Sequence, residues 1–150
     1  MQFKGEFEVS APIGDVYSFM SDIDRISAII PDVVSLEKID GNSSRLVVKA
    51  GISFIKGKFN LIFEIKNRKK NESVEISARG SGSGGSLDLN ALYVLEAIDG
   101  QKTGVKWTVD MTMGGTVASM GARVLNGAVD KYIKSLTESF QRSFEDGNKP

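Results

Sequence analysis

No cysteine and no histidine occur among the 150 residues, and the two absences together exclude much familiar chemistry. Without cysteine there are no disulfides, zinc fingers, iron–sulfur clusters or thiol nucleophiles. Without histidine the commonest general base and the commonest transition-metal ligand are missing. Net charge is absent too: nineteen Lys and Arg cancel nineteen Asp and Glu, so no global field draws the chain to nucleic acid. No apolar run approaches the ~20 residues that cross a bilayer. Met1-Gln2-Phe3-Lys4-Gly5-Glu6 lacks a basic segment leading into an apolar one, so no secretory signal is expected. What remains, 41% hydrophobic and 25% charged residues, is the balance of one soluble globular domain.

The dominant pattern is alternation. Phe3, Gly5, Phe7 and Val9 alternate with polar residues and predict a half-buried strand. Pro12 suits a first helical turn, followed by Val16, Phe19 and Met20 on one helical face. Asp22 predicts the N-cap of a second short helix through Ile26, Ile29 and Ile30, stopped by Pro31. From Val33 to about Gly115 the period is two, predicting strands near 33–40, 44–50, 57–68, 72–80, 86–98 and 104–114. Asp40-Gly41-Asn42, Lys69-Lys70-Asn71 and Asp99-Gly100-Gln101 are hairpin signals between them. Connections this short require antiparallel pairing, because parallel crossovers need a dozen residues or more.

No proline falls between Thr116 and Glu145, and Val117, Met120, Val124, Ala128, Tyr132, Leu136 and Phe140 predict one long helix. Gly121 and Gly127 each weaken such a helix by about 1 kcal/mol against alanine, which points to close helix–sheet approach or room for a ligand. The plan is α+β: a curved antiparallel sheet of about seven strands wraps a long C-terminal helix, with two short helices after the first strand. Residues 1–146 are expected to form a single domain and 147–150 a polar tail. The space between helix and sheet is either core or cavity.

This plan resembles the helix-grip fold of the START-like (SRPBCC) superfamily, and within it the CoxG family, named for the CoxG component of carbon monoxide dehydrogenase. Four segments carry the resemblance: Phe3-Lys4-Gly5-Glu6-Phe7-Glu8-Val9, Ser21-Asp22 through Ile30-Pro31-Asp32, the run Arg79 to Gly85, and Trp107-Thr108-Val109-Asp110 leading to Gly114-Gly115. Ala118-Ser119-Met120-Gly121-Ala122-Arg123 follows the last segment as in that family. The resemblance implies a non-enzymatic accessory protein that holds an apolar molecule, with quinone or lipid as the bound group and no intrinsic cofactor. It also implies a molybdenum-containing dehydrogenase as partner and a cytoplasmic location, peripheral at the inner face of the membrane. Several members carry a C-terminal extension with a membrane anchor, whereas this sequence stops at Pro150, so direct anchoring is not expected. The alternatives on the same fold are a polyketide cyclase or aromatase-like enzyme, and an interaction module with a filled core.

Individual motifs each have a plain reading. Gly80-Ser81-Gly82-Ser83-Gly84-Gly85 satisfies G-x-G-x-x-G, but nucleotide binding requires a following helix and a parallel return strand. Here Leu87, Leu89, Ala91 and Tyr93 alternate instead, which predicts a glycine-rich hairpin; the resemblance to the CoxG family implies a further reading, glycines that admit the close approach of a ligand or partner. Gly114-Gly115-Thr116 reads as a helix start with Thr116 as N-cap. Asn42-Ser43-Ser44 and Asn71-Glu72-Ser73 match glycosylation sequons and are read as turns. Asp110, Glu75 and Arg79 fall on the faces opposite Trp107 and Ile76 and are expected in solvent. Tyr93 and Tyr132 are the polar groups expected to point inward, each hydroxyl needing a partner.

Two candidate sites follow. An apolar ligand site is expected among Phe59, Phe63, Ile76, Leu89, Trp107, Met111, Met120 and Val124, on matched strand parity and methionine's suitability for adaptable sites. A weak anionic-membrane contact is expected at Lys66, Arg68, Lys69 and Lys70, which crowd one hairpin and otherwise read as a solvated tip. No metal site, catalytic group or nucleic-acid surface is predicted.

Overall fold

Hairpins set the architecture. The computed structural model describes residues 1–52, 55–82 and 84–147. β1 (Gln2–Val9) leads through α1 (Ile13–Met20) and α2 (Ile23–Ala28) into six successive strands. These are β2 (Val33–Lys38), β3 (Ser43–Ile52), β4 (Ile55–Lys69), β5 (Ser73–Gly82), β6 (Gly85–Asp99) and β7 (Lys102–Gly114). A 3-10 turn (Val117–Met120) and α3 (Ala122–Gly147) complete the chain. The sheet order is β1-β7-β6-β5-β4-β3-β2, with every neighbouring pair antiparallel. β1 and β2 therefore occupy opposite edges, and α1 and α2 bridge the whole width of the sheet to connect them. Register shifts at Val33/Ser35, Ile65/Asn67 and Ala97/Asp99 supply the irregularities that let long strands bend.

Local chemistry explains the helix boundaries. Pro12 is the N-cap of α1, accepting from Asp15 and Val16 through its carbonyl, and its missing N–H costs nothing there. Asp22 caps α2 as its sequence position predicts, accepting from the Asp24 and Arg25 amides at 3.0 and 3.3 Å. Thr116 does not act as a side-chain cap; instead the Ser119 hydroxyl donates back to the Thr116 carbonyl at 2.6 Å. The single helix predicted from Thr116 is broken at Gly121, whose φ of 91° lies in the region that favours glycine.

Most of the buried apolar side chains among the described residues gather in two clusters. The larger gathers Val16, Met20, Ile23 and Ile26 of the short helices, Leu46, Phe63, Ile65, Val74, Ile76 and Leu95 of the sheet, and Phe140 of α3. Phe140 anchors the C-terminal half of α3 through edge contacts, with its ring centroid 5.8 Å from Phe7, 5.3 Å from Phe19 and 5.2 Å from Phe144. The smaller cluster holds Ala91, Val109 and Met111 of β6 and β7 against Val129 of α3. Two buried polar contacts lie inside: the Ser27 and Ser44 hydroxyls share a hydrogen bond of 2.8 Å, and Thr103 donates to the Ala11 carbonyl at 2.8 Å.

Candidate ligand-binding site between helix and sheet

Strand parity delivers most of the predicted apolar residues to the concave face, but into different surroundings. Phe63 and Ile76 are sealed in the larger cluster and Met111 in the smaller. Leu89 is partly buried and touches both. Trp107 is partly buried in the smaller cluster, and its indole lies over Gly5 of β1, the residue paired with it in register. A Cβ at Gly5 would come within 2.6 Å of the ring, so the glycine makes the bed on which the indole rests. Phe59 is partly buried at the far end of β4, opposite Gly82 of β5. Met120 is partly buried in the 3-10 turn.

Val124 is a correction. It is 43% exposed, and the neighbouring Leu125 turns inward in its place. At ~100° per residue, Val124 falls ~160° around an ideal helix from Phe140, whereas Val129 falls ~20° from it. Val129 and Ile133 are thus helix residues that meet the sheet, Leu125 is buried on the same side, and the phase counted back from Phe140 identifies all three. Gly127 likewise faces open space and does not bring helix and sheet together. The close approach supplied by glycine occurs elsewhere, between strands. A Cβ at Gly80 would collide with the backbone of Asn60 and Leu61 on β4. Gly82 and Gly85 pair at the closed end of the β5–β6 hairpin, the Gly84 carbonyl accepts from Val117, and a strand follows where nucleotide binding would require a helix.

Several side chains on the concave face stay only partly covered although α3 lies over the sheet. Phe3, Leu87, Leu89, Tyr93, Trp107 and Met113 from the strands and Ile133 from α3 all behave this way. Apolar groups that face inward and remain accessible border a space. Two depressions of about 440 and 450 Å³ are lined by Ser18, Ser21, Asp22, Ile23, Asp24, Lys38 and Gly41, and by Asn67, Lys69, Glu72, Ser73, Glu75, Leu92 and Val94. Both are open and polar-rimmed, and neither lies between α3 and the sheet.

The two inward tyrosines differ. Tyr132 donates to the Pro31 carbonyl at 3.1 Å, tying α3 to the corner between α2 and β2; burial and then the Asp32 charge push its pKa up. Tyr93 finds no hydrogen-bond partner among the described residues, and burial pushes its pKa up to about 12. Asp110 and Arg79 are exposed on the outer face, as their parity predicts, and Glu75 is partly exposed there. Among the described residues no three Asp or Glu side chains converge in the manner of a metal site.

The basic hairpin is not one continuous patch. Arg68 is used by the fold: its Nε donates to the Ser21 carbonyl at 3.0 Å, Nη1 to Asn42 Oδ1 at 2.6 Å and Nη2 to the Gly41 carbonyl at 3.4 Å. It clamps the α1–α2 junction and the β2–β3 turn to β4, which its position in a charge run does not suggest. Lys66 pairs with Glu64 at 3.3 Å on the surface. Lys69 and Lys70 are exposed. No described helix is long and apolar enough to cross a membrane.

Comparison with known proteins places these observations in a lineage. The family described as CoxG, a subunit of carbon monoxide dehydrogenase, matches residues 5–144. A conserved protein from Geobacillus kaustophilus shares 25% identity and superposes with a TM-score of 0.89, over 97% of this chain and 96% of that one. A START superfamily protein from Mycobacterium smegmatis (15% identity, TM-score 0.70, 97% of each chain) shares the fold. So does the Zhui aromatase/cyclase from Streptomyces sp. R1128 (9% identity, TM-score 0.68, 97% of this chain and 93% of that one). No curated protein matches. The fold is the START-like helix grip.

Proposed function

The chain belongs to the CoxG family of carbon monoxide dehydrogenase components, and from that premise we propose that it is a non-catalytic accessory protein holding an apolar molecule between α3 and the concave sheet. The observation that carries this reading is the set of inward-facing apolar side chains beneath α3, Leu89 and Trp107 foremost, that remain only partly covered. A filled core of the same composition would cover them. Family membership and the START-like fold support a ligand-binding accessory role. Within that role, quinone or lipid is the proposed ligand and a molybdenum-containing dehydrogenase the proposed partner. Contact with the inner face of the membrane would run through Lys66, Lys69 and Lys70, with Arg68 excluded because the fold engages all three of its nitrogens.

An enzymatic reading of the aromatase/cyclase kind has one observation in its favour, the interior Tyr93 hydroxyl. With its pKa at about 12 that hydroxyl is a poor base at neutral pH. Its properties suit a hydrogen-bond donor better. Native mass spectrometry of the protein purified from its own host tests the proposal: the expected result is a co-purifying apolar molecule lost on denaturation. A chain of bare mass, unchanged by incubation with quinones or lipids, would contradict it.

A further inference from the structure

Tyr93 stands on β6 directly opposite Trp107 of β7 and Val74 of β5, near the middle of the sheet. Its ring packs against both apolar clusters, a position it shares with Leu89. A hydroxyl so placed normally finds a carbonyl, as Tyr132 does at Pro31. Tyr93 finds none among the described residues. Nor is the oxygen sealed away: the only sealed side-chain polar atom without a partner among those residues is Asn71 Oδ1, in the β4–β5 turn. The hydroxyl therefore sits on a ring packed between the two clusters, without a partner among the described residues, and is not sealed off. Leaving such a donor unpaired beside apolar surface is costly unless something else accepts from it.

We propose that the Tyr93 hydroxyl is the polar anchor of the bound molecule, donating a hydrogen bond to a carbonyl oxygen while Leu89 and Trp107 cover its apolar body. The inference rests on the ligand-binding reading above and narrows it to apolar molecules that carry a ketone, quinone or ester acceptor. A pure hydrocarbon would fill the same space and leave the donor unpaired. At neutral pH the group donates throughout, consistent with a pKa raised by burial to about 12.

The test compares 2-methyl-1,4-naphthoquinone with 2-methylnaphthalene, which share a ring system and differ in the two carbonyls. Binding of each to the wild-type chain and to Tyr93→Phe is measured by calorimetry. The expected result is that Tyr93→Phe weakens the quinone about tenfold, the effect of one lost hydrogen bond, and leaves the hydrocarbon unchanged. The hydrocarbon affinity doubles as the control for an intact fold. Equal weakening of both probes would reduce Tyr93 to a packing residue, and no weakening of either would place the carbonyl elsewhere; both outcomes overturn the proposal while the ligand-binding reading stands. If neither probe binds the wild-type chain, the ligand-binding reading falls and the proposal with it.

Discussion

Glycines at 80 and 127 show how differently the same residue can be used. A methyl group at Gly80 would strike the Asn60 carbonyl and the Leu61 Cα, both backbone atoms that cannot swing aside. Gly80→Ala should therefore destabilise the fold by about 1–3 kcal/mol, as overpacking does, read as a lower midpoint in urea. Gly127→Ala should do the opposite: the site is exposed, nothing lies near a new Cβ, and helix propensity gains about 1 kcal/mol. Equal effects at the two positions would contradict these assignments. The distinction is not legible in the sequence, because composition marks a glycine as a cost without saying what approaches it. Tyr93 gives a pH-dependent prediction with a definite sign. Its folded pKa of about 12 exceeds the ordinary 10.0, so it contributes stability that is fully present below pH 10 and lost as pH rises through about 12. Alkaline denaturation of Tyr93→Phe should show a shallower loss of stability across that window than wild type.

Among the elements, α3 is held unevenly. Its C-terminal half is pinned by Phe140 between Phe7, Phe19 and Phe144, while at its N-terminal end residues 122–124 and 126–127 are exposed. Phe140→Ala should cost about 3–5 kcal/mol and lower the thermal midpoint accordingly. The β4–β5 hairpin is pinned by Arg68, and Arg68→Ala should cost about 1–3 kcal/mol because three acceptors lose their donor at once. The hairpins are legible because turn residues bracket each strand: the predicted 57–68 and 86–98 appear as Ile55–Lys69 and Gly85–Asp99. The helix phase misleads at Val124 because an apolar series counted from Val117 runs through Gly121, where the chain leaves the helical path. Arg68 misleads because a charge run carries no sign of the distant carbonyls at Gly41 and Ser21. Hydrogen bonds across 27 and 47 residues are products of the fold and invisible to local pattern.

Across the molecule, the fold sets a long helix over a concave sheet in which several inward side chains of β6 and β7 are only partly covered, and it leaves a small basic tip at one hairpin. The tip predicts weak association with anionic vesicles, at about 1 kcal/mol per lysine, weakened by salt. Changing Lys66, Lys69 and Lys70 to serine should abolish it without loss of stability, whereas including Arg68 would confound binding with unfolding. Binding that survives the triple change would locate the membrane contact elsewhere. The proposal of an apolar molecule bound beneath α3 faces its sharpest test in the titration of a soluble short-chain quinone, with thermal stability followed alongside the fluorescence of Trp107, the chain's one tryptophan. A ligand that binds only the folded state raises stability by about 2.7 kcal/mol at 100 times its dissociation constant. Saturable quenching of Trp107 and a rise in Tm that share one dissociation constant are expected. A Tm and an emission that both stay unchanged at the solubility limit of the quinone would contradict binding beneath the helix.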